Sequence, residues 1–476
     1  MLDPGCQGYY YSIMAYKKSL VIWVFLLILN IPAFSQGAIF DEEVYNNLPR
    51  TPSLAASSYE GLPSSFSLKQ YAPLPGDQED YGTCVGWAAG YAARTISESV
   101  ALNRLNQTET TQNAFSPIYI YRNIRPDDPT GRYGAQIYTA LDLMRDTGAV
   151  KMLEIERSLS FPNIDLTSYK NSRNYPIGDY VTLFSRDDRQ KPALITRIVK
   201  KSLTEGKPVI IGMNTPNSFV DAKDVWQPDE SPDYFYYGHA LCVVGYDDNK
   251  YGGAFEVLNS WGRKWGNGGY IWIPYQVFVD FVTEGYEIIE NIGIYSDTIN
   301  FNGFVRMEEA AGEAVGFTLT PDGYFRTTQT LTNGTAYRFT VGSRENAYVY
   351  TFSVSQPLDD NRSYAPTLIF PQTRISPLMN YSDSMVILPN ENSTFTLNDQ
   401  AGTKYIITLY SKQSLNIQNI MQRFEAAQGT INKRLSAAIG DNYTTIMTFN
   451  ENETGFTANP NNLRNVVALI VAIEHE

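Results

Sequence analysis

Three residue types in this chain can do chemistry together: a cysteine, a histidine and an asparagine. Cys84 lies in the stretch Gln78-Glu79-Asp80-Tyr81-Gly82-Thr83-Cys84-Val85-Gly86-Trp87-Ala88. A thiol attacks as its thiolate, and the unpaired N–H groups and dipole of a helix N-terminus favour that charge. Cys84, Ala88, Tyr91, Ala92, Thr95, Ile96 and Ser99 recur at helical spacing, which predicts a helix from Cys84 to about Leu102. Gly82 and Thr83 supply the turn that enters it. Gln78 carries an amide able to donate to the oxyanion formed when a carbonyl is attacked. Of the two histidines, His475 is next to the C-terminus, so His239 is the base this reading selects.

The elements that must position these groups are also legible. His239-Ala240-Leu241-Cys242-Val243-Val244-Gly245-Tyr246 reads as a buried strand and Ala254 to Leu258 as a second, joined by a polar turn with Gly252 and Gly253. Antiparallel pairing brings the end of the second strand back beside His239. Asn259 can then bond one imidazole nitrogen and leave the other for Cys84. Trp261 can cover that bond from water.

These blocks resemble the papain-like cysteine peptidases. The resemblance rests on the Cys84 block, on Gly238-His239-Ala240-Leu241 through Gly245-Tyr246-Asp247, and on Asn259-Ser260-Trp261-Gly262-Arg263-Lys264-Trp265-Gly266, in that order. It covers roughly Leu62 to Gly293. It implies an α+β fold of two lobes, one helical and one an antiparallel barrel-like sheet, with a cleft between them. It also implies that Gln78 is the oxyanion glutamine, Cys84 the nucleophile, His239 the base and Asn259 its orienter. Gly134, Ala135, Ala240 and Trp265 are then substrate-binding, with Trp265 on the leaving-group side of the cleft and Trp261 in a supporting role. The sequence departs from the family where Val85 follows the nucleophile and where Tyr81 replaces a cysteine.

Hydrophobic residues make up 43% of the 476, enough for packed cores, and the length suits two or three domains. The net charge of −13 argues against nucleic acid as a partner. Of three cysteines, Cys6 lies in the expected leader and Cys84 must stay free, so no structural disulfide is expected; Cys242 reads as a small buried side chain.

Lys17 and Lys18, the apolar run Leu20 to Leu29, and Ala33-Phe34-Ser35 read as a secretory signal over residues 1–35, with Met14 as the start. A secreted or periplasmic location follows, with no membrane span in the mature chain. Residues 36–60 read as a linker or short pro-segment, without the family's long pro-region. The peptidase domain is expected over 61–298. Helices are expected at Ile118 to Asn123, from Ile137 to Gly148 and from Leu194 to Gly206, and a strand at Pro208 to Met213. Several aromatics between 214 and 237 read as a wall of the substrate cleft. From 299 to 476, Thr, Asn and aromatic residues predict a β-rich, sandwich-like domain interrupted by one helix at Ile417 to Ala427.

The function expected is a secreted thiol peptidase acting on peptides or proteins through a Cys84 acyl-enzyme, without cofactor or metal. The alternatives are a catalytically silent peptide-binding module and a transglutaminase-like acyl transferase on the same fold. The β-rich domain is expected to bind a partner or to regulate the cleft, and plugging the cleft is one way it would do so.

Overall fold

A computed structural model of the chain describes residues 37–154, 175–234, 236–290, 301–357, 365–398, 401–459 and 464–476. The expected leader with Cys6, and Phe235 in the aromatic loop, lie outside the described residues. No helix among the described residues is long and apolar enough to cross a membrane.

The Cys84 stretch forms one continuous helix of changing pitch. It begins as Cys84–Gly86, widens into a π-helical run at Trp87–Arg94 and ends as Thr95–Ala101. Small residues let it bury nearly all round: Ala89 and Ala93 are fully covered. Helices Pro117–Ile124 and Ile137–Asp146 pack beside it and complete the helical lobe. Ser116 caps the first, and Pro117 occupies its first turn, where no N–H is needed.

The second lobe is one antiparallel sheet. Its strands are β1 (Ser65–Ser67), β2 (Asp179–Thr182), β3 (Val209–Thr215), β4 (Tyr237–Asp247), β5 (Ala254–Leu258), β6 (Tyr270–Pro274) and β7 (Val282–Ile289). The order is β2-β7-β3-β4-β5-β6, with β1 added to β4. β3 to β5 are almost continuously apolar because both faces are covered, one of them by helix Pro192–Thr204. Cys242 pairs with Leu258, so the chain entering β4 lies beside the chain leaving β5. That register sets the relative positions of His239 and Asn259.

The C-terminal region is a β-sandwich with helices on one face. One sheet runs Thr367–Phe370, Ala347–Pro357, Gly402–Ser411, Val466–His475, Phe325–Thr327, Phe317–Leu319. The other runs Ser384–Leu388, Ala336–Ser343, Phe301–Glu309, Gly455–Ala458, Thr448–Asn450. Tyr410 of the first sheet reaches the Phe304 and Gly342 carbonyls of the second. Two helices, Ile417–Ala426 and Ile431–Ile439, cover the outer face of the first sheet, where the sequence suggested one.

Residues 37–59, read from sequence as linker or short pro-segment, form a docked strap. It includes helix Glu42–Asn47, which Asp41 caps through the Val44 N–H. Tyr45 is buried and bonds the Phe184 and Gly285 carbonyls.

Candidate active site

The β4–β5 register brings His239 and Asn259 together. His239 Nε2 lies 2.8 Å from Asn259 Oδ1, and its Nδ1 has no hydrogen-bond partner. The Ser260 N–H also donates to Asn259 Oδ1, at 2.7 Å, which fixes the amide. Trp261 stacks on the imidazole at 4.7 Å between centroids and 25° between planes. Both His239 and Asn259 are buried. Burial pushes the imidazole down to about 4, with the Asn259 bond opposing it, so the ring is neutral at neutral pH.

Cys84 lies at the first turn of its helix, fully buried. Burial pushes the thiol up to about 11. The backbone N–H groups of Ala240, Gly37, Val85 and Cys84 itself point at the sulfur and pull the other way. Two of these belong to its own helix start and one to β4. The Gly37 N–H comes from the strap.

The strap fills the cleft over the thiol. The Ala38 N–H donates to the Gly238 carbonyl at 3.0 Å, the Ile39 N–H to the Ala135 carbonyl at 2.9 Å, and the Ala135 N–H to the Gly37 carbonyl at 2.8 Å. Residues 37–39 thus form a short ladder with both lobes. Gly134 has φ +74°, and a Cβ there would overlap the Gly37 carbonyl. The Phe40 ring lies over Gly212 and Gly238, where a Cβ would sit 2.5 and 2.9 Å from its carbons. Among the described residues, the cover over Cys84 is the N-terminal strap and not the C-terminal domain.

Gln78 is locked in place. Its Oε1 accepts from Ser260 Oγ at 2.5 Å, its Nε2 donates to the Tyr81 carbonyl at 2.6 Å, and its N–H donates to the Ser260 carbonyl. Trp265 differs from the sequence reading. It is 7% exposed, donates its indole N–H to the Val220 carbonyl and packs on Phe219 and Trp261, so it backs Trp261 instead of lining an open cleft. The reason is the aromatic loop, whose Phe219 and Trp226 turn inward and roof that side. Only part of that loop is open: Tyr234 and Tyr237 are exposed.

Two further groups shape the site. Buried Asp128 accepts from the N–H groups of Thr130, Gly131 and Tyr133 and from Tyr121 Oη. Burial opposes its charge, but these donors outweigh it and hold the carboxyl well below the usual range. Tyr121 Oη accepts the Gly134 N–H, and Arg125 bonds the Gly134 carbonyl, so this network aims the cleft wall. Its trace in the sequence is an Asp three residues before a Gly in a Pro-rich loop, a weak signal. The second group is Glu284 on β7, opposite Gly212. Burial raises it to about 7, against the bonds from Tyr286 Oη and the Asp41 N–H of the strap. Two acidic residues, Glu284 and Glu287, in one short strand gave no usable signal. No cluster of metal-ligating side chains occurs among the described residues.

Residues 149–284 match the papain family cysteine protease model, a span that includes His239 and Asn259 and begins after Cys84. An uncharacterized peptidase C1-like protein of Acanthamoeba polyphaga mimivirus is 28% identical over 262 residues, covering 51% of this chain and 78% of that protein. Among solved structures, xylellain, a cysteine protease from Xylella fastidiosa, aligns at a TM-score of 0.42 and 24% identity, over 54% of this chain and 96% of that one. The bromelain protease from Ananas comosus aligns at 0.38 and 15%, over 48% and 100%. The family match and the viral relative thus make the chain similar to the papain-like cysteine peptidases over the part that carries His239 and Asn259.

Proposed function

We propose that this thiol peptidase cleaves peptide bonds at Cys84, with His239 as base, Asn259 as its orienter and Gln78 beside the oxyanion. The observation that carries this reading is the division of the imidazole. Nε2 is spent on Asn259 while Nδ1 is unpartnered, one residue before the Ala240 amide that points at the Cys84 sulfur. The proton of Cys84 passes to His239, and the thiolate attacks the substrate carbonyl carbon. The tetrahedral oxyanion takes hydrogen bonds from backbone N–H groups at the helix start. His239 then gives its proton to the leaving amine as the C–N bond breaks. Water, deprotonated by His239, attacks the thioester and returns the thiol with a carboxylic acid.

The covered form is a resting form. With water excluded, a neutral thiol and a neutral imidazole are favoured over the ion pair, which is what burial does to both groups here. Departure of Gly37 to Phe40 readmits water and the helix N-terminus then stabilises the thiolate. The strap's ladder with Gly238 and Ala135 occupies the backbone groups that a peptide substrate would use. The test is hydrolysis of a mixed peptide library by the wild-type chain and by Cys84→Ala. Cleavage that vanishes in the variant is expected; cleavage that persists contradicts the assignment.

We also propose that the chain is exported, on the strength of the basic and apolar leader. N-terminal sequencing of the mature chain should begin near Gln36. A cytoplasmic chain beginning at Met14 would contradict export.

A further inference from the structure

The strap is held by the peptidase at its tip and at Tyr45, and by both the peptidase and the C-terminal sandwich at its middle. Its tip, Gly37 to Asp41, bonds Gly238, Ala135 and Glu284 of the peptidase. Its middle, Pro49 to Ser58, runs between the peptidase sheet and the C-terminal sandwich. Arg50 forms bridges to Thr182 on one side and to Ile375 on the other. The Arg50 N–H donates to the Arg374 carbonyl at 2.9 Å, and the Ser376 N–H to the Arg50 carbonyl at 2.8 Å. On the peptidase side, the Thr182 N–H donates to the Pro49 carbonyl and the Thr51 N–H to the Thr182 carbonyl. Further along, the Ala55 N–H donates to the Met385 carbonyl at 2.7 Å, the Met385 N–H to Ser58 Oγ at 3.1 Å and the Ala56 N–H to Glu391 Oε1 at 2.8 Å.

The sandwich loop that grips the strap is itself rooted in the peptidase. Fully buried Glu287 of β7 accepts from Tyr381 Oη at 2.9 Å and from the Asn380 amide. Lys207 bonds the Asn380 carbonyl, and Ser202 Oγ lies 2.8 Å from Tyr381 Oη. Ser384 Oγ donates to the Tyr381 carbonyl, one residue before Met385. The anchor Glu287 is on the same strand as Glu284, which holds the Asp41 N–H at the tip. A cavity of about 280 Å³ lies where strap, peptidase and sandwich meet, lined among others by Tyr45, Arg50, Phe184 and Ile375.

We propose that the C-terminal domain is the clamp that keeps the strap tip in the cleft, so that Cys84 is uncovered by loosening the strap–sandwich junction. This rests on the reading of Cys84 as the reactive thiol. The physical basis is shared anchorage. The peptidase-side bonds of Tyr45 to the Phe184 and Gly285 carbonyls, and of Pro49 and Thr51 with Thr182, hold the strap together with the sandwich-side bonds of Arg50, Ala55, Ala56 and Ser58. Losing one hydrogen bond of ordinary strength from that set raises the open population about fivefold. A partner or ligand that prises the sandwich from the strap would therefore act on the cleft without entering it.

The test uses the full chain. Ala55→Pro with Ser58→Ala and Glu391→Ala removes three clamp bonds. Ala55 has φ −56°, which proline adopts. Iodoacetamide modification of Cys84 should become about fivefold faster or more. An unchanged rate overturns the proposal. If the triple variant does not fold, hydrogen exchange in the unaltered chain decides. The Ala38 and Ile39 amides should open together with the Arg50 amide as denaturant rises. Earlier, separate opening of Ala38 and Ile39 overturns the clamp. Alkylation needs no turnover, so a freely modified Cys84 in a chain that cleaves no peptide sinks the peptidase reading and leaves the clamp standing.

Discussion

Cys84 and Cys242 are equally buried, and burial pushes both thiols up. Their surroundings differ. Four backbone N–H groups point at the Cys84 sulfur, and its cover is a strap of a few residues. Cys242 lies in the middle of β4 between β3 and β5, and its one hydrogen bond is a 3.9 Å contact to the Val243 carbonyl. Removing its cover means opening the sheet. Burial alone therefore does not mark a thiol as inert; what matters is whether donors await the thiolate and whether the lid is separable from the core.

The sharpest break of this comparison is to delete each thiol. Cys84→Ala should lower peptide hydrolysis by roughly 10⁴-fold or more, whereas Cys242→Ala should leave turnover near wild type. Equal losses would erase the distinction. His239→Ala should cost on the order of 10³-fold in kcat, measured on the same peptide.

Next in size is the lid. Phe40→Ala removes the ring that fills the space over Gly212 and Gly238. Phe40 is partly buried, so losing about 1 kcal/mol of burial should speed alkylation of Cys84 roughly fivefold. Cys242 should not respond, and a parallel rise there would mean general loosening.

The smallest effects are on stability. Glu284 has a folded pKa of about 7, raised from 4.5. A raised carboxyl favours folding most below its unfolded value and loses that advantage as pH rises through about 7. Glu284→Gln should therefore raise Tm more at pH 8 than at pH 5. His239 has the opposite sign. Its folded value, about 4, lies below the ordinary 6.5, so its contribution is complete above 6.5 and fades as pH falls toward 4.

The sequence carried the parts of the site that are local. The helical spacing from Cys84, the apolar run after His239 and the short turn before Ala254 gave the helix that carries Cys84 and the hairpin that joins His239 to Asn259. Most sandwich strands were legible for the same reason, their alternation or apolar density. What stayed hidden depends on distant partners. Gly37 to Phe40 is too short to show a period, and its partners Ala135, Gly212 and Gly238 lie far along the chain. Trp265 is turned inward by Phe219, which spacing does not reveal. Strand Phe301–Glu309 and helix Ile431–Ile439 went unread because polar residues break up their apolar pattern.

The most direct measurement is modification of the Phe40→Ala chain by a thiol-directed epoxide, located by mass spectrometry, with and without His239. The account predicts a single adduct on Cys84 that forms quickly and is lost in the added His239→Ala variant. An adduct shared equally by Cys84 and Cys242, or one on Cys84 that forms as fast without His239, would contradict an activated thiol at this site.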